Sequence, residues 1–222
     1  MIFTSHLLAQ LLDLFAAGLL LISFAMLSER RTQRLVTLFA WQGAVLFAST
    51  LLVAHSAGLE EVYYSAALTL VLKVIILPWI LHRLIRRLGA EWDSELLVNV
   101  PVTMLLGLGF VIFAFGLAQP ISTLATTITR NTLGIALAVI LLAFLMMITR
   151  RKAITQVVGF LAMENGLFFA ATSATYGMPM VIELGIALDV LVGMLILGVF
   201  FFQIREQFDS LDLQHMETLK ED

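Results

Sequence analysis

The chain has no cysteine. It can therefore form no disulfide, no thiolate metal site and no redox CxxC pair, and it cannot ligate haem or an iron–sulfur cluster through cysteine. Charge is also scarce: 13% of the 222 residues are Asp, Glu, Lys or Arg, whereas 60% are hydrophobic. Together with a mean hydropathy of +0.99, this excludes a water-soluble domain and points to an all-α polytopic membrane protein. The opening "MIFTSHLLAQLLDLF" has no basic start, and its apolar run continues to Met26, so it reads as the first membrane helix and not as a cleaved signal. There is no long linker, low-complexity segment, Gly-rich phosphate loop or G-x-S-x-G nucleophile turn. None of the four histidines, His6, His55, His82 and His215, has a Glu or His three or four residues on, and methionines at this density read as packing or lipid-facing residues. No metal site, no catalytic site for covalent chemistry and no cofactor in this chain is expected.

A spanning helix needs about 20 mainly apolar residues. Seven such windows are present: Leu7 to Leu27, Leu35 to Ala54, Val62 to His82, Leu96 to Leu117, Asn131 to Ile148, Ile154 to Tyr176 and Met180 to Gln203. Arg30, Arg31, Arg34, Arg83, Arg86, Arg87, Arg150, Arg151, Lys152, Arg205 and Lys220 all fall on alternate connections or in the tail, while "HSAGLEE" and "TYGMP" carry no Lys or Arg. By the positive-inside rule the N-terminus is outside and the C-terminus cytoplasmic, as an odd number of spans requires. Tyr63, Tyr64 and Tyr176 then fall at outer ends, and Trp79 and Trp92 towards the inner side.

Ionisable groups within a bilayer are costly and commonly mark ion or proton routes. Four stand out here: Asp13, Lys73, Glu164 and Asp189. Glu164 precedes Gly177 by 13 residues and Asp189 follows it by 12, so both lie about 18–20 Å below that outer turn. Lys73, 11 residues into the third window, is about 16 Å deep by the same rise. Three charges of mixed sign at one level suit a proton relay, because burial raises the pKa of a carboxyl group and a nearby ammonium lowers it. Asn165, Thr172 and Ser173 are placed to hold connecting waters. The alternative for a single buried Glu is a protonated acid that hydrogen-bonds across a helix interface. Lys73 is too deep to snorkel easily. Asp13 is either a water-facing cap or a relay member. Glu183, in the first turn after Pro179, favours the helix dipole and is otherwise a possible relay or water-holding residue.

The last three windows resemble the K subunit of respiratory complex I and the C subunit of multisubunit sodium/proton antiporters. The resemblance rests on "RRKAITQVVGFLAMENGLFF" and "ELGIALDVLVGMLILGVFFFQIRE": the basic pair Arg150 and Arg151, then Gly159, Met163 and Asn165, then Asp189 and Gly193. With four helices placed before that unit, the whole chain resembles component E of hydrogenase-4, of membrane-bound nickel–iron hydrogenase and formate hydrogenlyase complexes. The implied division is a four-helix region over 1–120, a K-like three-helix unit over 121–205 and a polar cytoplasmic tail over 206–222. There are two departures. The family's middle-helix acid would fall at Leu161, one turn before Glu164, and Asp189 stands where complex I usually has Glu. Lys73 has no counterpart in the K-like unit.

The resemblance implies a non-catalytic subunit of a bacterial or archaeal cytoplasmic membrane complex, with Glu164 and Asp189 as relay carboxylates; Lys73 is expected as their charge partner from its depth alone. The implied partners are antiporter-like membrane subunits and peripheral nickel–iron and iron–sulfur subunits, with no nucleic acid. Two other readings stand beside it. One is a subunit of a cation/proton antiporter without a redox partner, and the other an assembly scaffold whose buried charges fix helix register.

Overall fold

In hydrocarbon every backbone N–H and C=O must find its partner within the protein, and a helix pairs them inside one segment. A computed structural model of the chain describes residues 2–57, 60–87, 97–124, 130–175, 185 and 193. The chain divides into two units, Met1–Ile186 and Ala187–Asp222, and the following concerns the first. Its helices are α1 (Ile2–Ser28), α2 (Thr32–Ala57), α3 (Glu60–Thr69), a π-helical segment (Leu70–Ile76), α4 (Leu77–Arg87), α5 (Val100–Leu124), α6 (Arg130–Thr149) and α7 (Ala153–Thr175). Among the described residues, six stretches are long and apolar enough to cross a membrane, with α3, the π segment and α4 together forming the third. The protein is a multi-pass membrane protein on this composition. The seventh window, Met180 to Gln203, falls outside the described residues apart from Gly185 and Gly193.

Two windows are redrawn. The third is not a uniform α-helix, since it widens into a π turn at its middle. The fourth begins at Val100, later than Leu96, and runs to Leu124. Its lead-in is tied down by Leu97, whose N–H donates to Thr149 O at 2.9 Å.

Helices α1, α2, α7 and α6 pack in a ring, each against the next, with α5 laid on α6 and α1, and the third span laid on α2. Ala16 and Leu19 of α1, Leu46 of α2, Ala136 and Val139 of α6 and Phe168 and Phe169 of α7 meet as one apolar cluster inside it. Burial follows this order: 61% of the α7 span is buried but 17% of the α5 span. Leu105, Ile112 and Phe113 of α5 are exposed, as suits a surface facing lipid. Small residues let the inner helices approach closely. A Cβ at Gly166 would meet Ile140 Cγ1 at 2.9 Å and the Ile140 backbone nitrogen at 3.2 Å, so α6 and α7 are in near-backbone contact there.

The turn between α1 and α2 and the turn between α6 and α7 are joined by Arg150. Its side chain is fully buried, and Nη2 donates to Met26 O (3.1 Å), Leu27 O (3.2 Å) and Glu29 O (2.6 Å). The first two are carbonyls that the end of α1 cannot satisfy within its own helix, and the third belongs to the residue that follows it. Glu29 Oε1 in turn accepts from the N–H groups of Arg30 and Arg31, each at 3.0 Å. Burial pushes the Arg150 guanidinium down to about 10, against the opposing pull of Glu29, so it remains cationic at neutral pH. Arg30, Arg31, Arg34, Arg83, Arg86 and Arg151 are exposed; Arg150 departs from the solvated cytoplasmic cluster in which the sequence pattern places it.

Candidate functional site

Pro78 has no N–H, and in a regular α-helix its ring would collide with the carbonyl four residues earlier, that of Val74. The third span accommodates it by widening: Leu77 N–H donates to Leu72 O, a five-residue step, at the end of the π segment. Such turns in membrane-length helices are uncommon and tend to mark functional positions. Lys73 lies within this one and is the segment's buried residue, at 1% exposure.

Lys73 Nζ stands 3.2 Å from Glu164 Oε1, and Glu164 is 3% exposed. This is a buried ion pair between the third span and α7, 91 positions apart in sequence. The two residues that helix rise sets at nearly one level are thus in contact. The ammonium also lies over the Phe168 ring, 5.4 Å from its centroid, a cation–π contact that strengthens when desolvated. Phe168 is itself backed by Gly185, where a Cβ would come within 2.8 Å of the ring.

Asn165, the residue after Glu164, points its amide to another helix. Its Nδ2 donates to Gln42 Oε1 of α2 at 3.2 Å, Gln42 Nε2 donates to Ser23 Oγ of α1 at 3.1 Å, and Ser23 Oγ donates to Leu19 O at 2.8 Å. All three side chains are buried, Gln42 and Asn165 completely. Among the described residues, Asn165 Oδ1 has no hydrogen-bond partner. Beside Gln42, Gly43 lets α2 come against the lysine's own turn, since a Cβ there would lie 3.2 Å from both Lys73 Cβ and Lys73 O.

Of the residues singled out in sequence, the structure thus joins Lys73 to Glu164 and sets Asn165 beside them on α7. Thr172 Oγ1 donates to Phe168 O at 2.9 Å within its own helix, and Ser173 is buried one residue on. Asp13 lies half-buried on α1, six residues and so about 9 Å along the axis from Leu19. Asp189 and Glu183 lie outside the described residues. Among the described residues, no three His, Asp or Glu side chains gather where a metal could bind. The sequence does not single out Gln42, and it offers Arg150 only as half of the cytoplasmic basic pair. For Gln42 a signal existed, because a lone amide in "FAWQGAVLF" is as anomalous as the Glu in "AMENGL". For Arg150 nothing in "TRRK" separates the buried arginine from its exposed neighbour.

No family model matches the chain, and no solved structure matches it. The Mycobacterium tuberculosis protein described as "Uncharacterized protein Rv0085" is 34% identical over 212 residues, covering 95% of this chain and 96% of that one. "Hydrogenase-4 component E" of Escherichia coli K12 is 23% identical over 205 residues, covering 92% of this chain and 95% of that protein. The chain belongs to the family of the mycobacterial protein and is distantly similar to the hydrogenase-4 membrane component over almost its whole length.

Proposed function

We propose that the chain is a membrane subunit of a hydrogenase-4-type complex, where it contributes buried charge to proton translocation coupled to redox chemistry in other subunits. The observation that carries this reading is the Lys73–Glu164 pair, formed at mid-span between the π turn that holds Lys73 and α7, with 1% and 3% exposure. A proton arriving at the pair neutralises Glu164 and weakens its hold on Lys73; loss of that proton restores the carboxylate and the attraction. The cation thus changes its strongest partner with each proton passed, and a moving charge in a neighbouring subunit can drive the exchange. Asp189 is proposed as the second carboxylate of the route. Nickel–iron and iron–sulfur centres belong to partner subunits in this reading, since a chain without cysteine cannot supply their thiolates.

The test is redox-driven proton uptake by inverted membrane vesicles that carry Glu164→Gln or Asp189→Asn. Both variants are expected to assemble into the complex and to lose uptake. Unchanged uptake in both would overturn the reading. A second reading, a scaffold in which the pair fixes the register of α7 against the third span, is favoured by the same burial, because paired charges can specify a unique packing. It expects loss of assembly, not loss of uptake, in the Glu164 variant.

A further inference from the structure

We infer that Gln42 is a positioning residue of the Lys73–Glu164 site: through Asn165 it fixes the rotation of α7, and through its neighbour Gly43 the same turn of α2 fixes the seat of Lys73. The inference rests on the reading of Glu164 as the ionisable group of the site.

Both partners of the ion pair lie on helices that pack against α2, and one turn of α2 touches each. Glu164 and Asn165 are consecutive on α7, about 100° apart around its axis. The first is bonded to Lys73 and the second to Gln42. Two directions of attachment from adjacent residues determine the rotational setting of α7, as one alone does not. Gln42 is suited to hold the second because both ends of its amide are engaged. The carbonyl accepts from Asn165, and the amino group donates to Ser23, whose hydroxyl donates to Leu19 O. The donors all run one way, from α7 through α2 to the backbone of α1, so Gln42 cannot turn without breaking the chain at both ends. On its other side Gly43 brings the α2 backbone to the carbonyl of Lys73 itself. The remaining carbonyl of this chain, Asn165 Oδ1, is buried and has no hydrogen-bond partner among the described residues. That makes it an open acceptor next along α7 from Glu164, suited to a single donor such as a water.

A residue that only adds packing would leave the environment of the Glu164 carboxyl as it was. The experiment is therefore infrared difference spectroscopy of the whole complex in membranes, following the carboxyl band identified by its loss in Glu164→Gln. Gln42→Met, similar in length and without hydrogen bonds, is expected to move that band while the complex still assembles. Ser23→Ala, which frees one end of the Gln42 amide, is expected to move it in the same direction by less. An unmoved band in assembled Gln42→Met overturns the inference. Should Gln42→Met fail to assemble, Ser23→Ala decides by the same criterion. This readout does not depend on transport, so failure of the proposed function and failure of the positioning role give separate results.

Discussion

Replacing Lys73 and Glu164 singly and together separates what the pair does for stability from what it does for function. Lys73→Met strips Glu164 of its ion pair at a site 3% exposed. Breaking a buried pair from one side is worth about 3–5 kcal/mol. In a bilayer the unfolded reference also finds polar partners, which favours the lower end, about 3 kcal/mol. Glu164→Met leaves the ammonium in place over the Phe168 ring at 5.4 Å, a contact worth about 1–2 kcal/mol when desolvated, so its effect is a little smaller. The double variant holds two apolar side chains of similar reach and is expected within about 1 kcal/mol of the parent, as buried pairs replaced whole usually are. The assay is the midpoint for release of this subunit when the complex, purified in mild detergent, is titrated with SDS. The single variants should be weakened by about a hundredfold in equilibrium constant, with the double variant close to the parent. A double variant as weak as the worse single one refutes the coupling. Redox-driven proton uptake then gives the second answer: a double variant that assembles and still drives uptake refutes the relay, and one that assembles without uptake refutes the scaffold.

Arg150→Met removes a charged donor from three carbonyls at the end of α1 and should lower the same midpoint by about 3 kcal/mol. Arg150→Lys should be intermediate, because a compact ammonium cannot reproduce the guanidinium fork. Gly166→Ala and Gly159→Ala should each weaken the subunit by about 1–3 kcal/mol, because the added methyl would meet Ile140 Cγ1 at 2.9 Å in the first and Met147 Cγ at 2.7 Å in the second. Gly43→Ala places a Cβ at 3.2 Å from Lys73 Cβ and O, so it should both lower the midpoint by about 1–3 kcal/mol and shift the Glu164 carboxyl band. A normal band in a destabilised Gly43→Ala protein would show that the α2 seat does not govern the pair.

Six of the spans, and the shared level of Lys73 and Glu164, are legible in the sequence because they depend on quantities the chain carries along itself. Apolar length marks a span, and a fixed rise per residue turns a count from a loop into a level. That is why Lys73 and Glu164 could be set at one height without any knowledge of packing. Azimuth is different, since which helix each faces depends on neighbours far along the chain. Nothing local distinguishes Arg150, at 0% exposure, from Arg151, which is exposed. The π turn lies between: Pro78 announces a disturbed helix, but whether the chain kinks or widens is decided by what must pack there. In this case that is Gly43 of α2 against the backbone of Lys73.

The same geometry gives a reason for the acid to stand at Glu164 and not at Leu161, the position expected from the K-like resemblance read in the sequence. Leu161, where that pattern sets the carboxyl, is buried on α7 and lies about 4.5 Å nearer the end of the bundle that Arg150 ties together. On the third span, which runs the opposite way, that lower level belongs to the start of α4, where Leu77 is buried and Pro78 follows. A carboxylate at Leu161 would therefore lie level with an apolar turn, while Lys73 would remain a turn above it. The acid and the lysine occupy their levels jointly, because each would be an isolated buried charge at any other. It follows that the unit to carry across the resemblance is the pair with its α2 seat, Gln42 and Gly43. A relative with its acid one turn lower needs a cation that is likewise displaced, or a route that does without one.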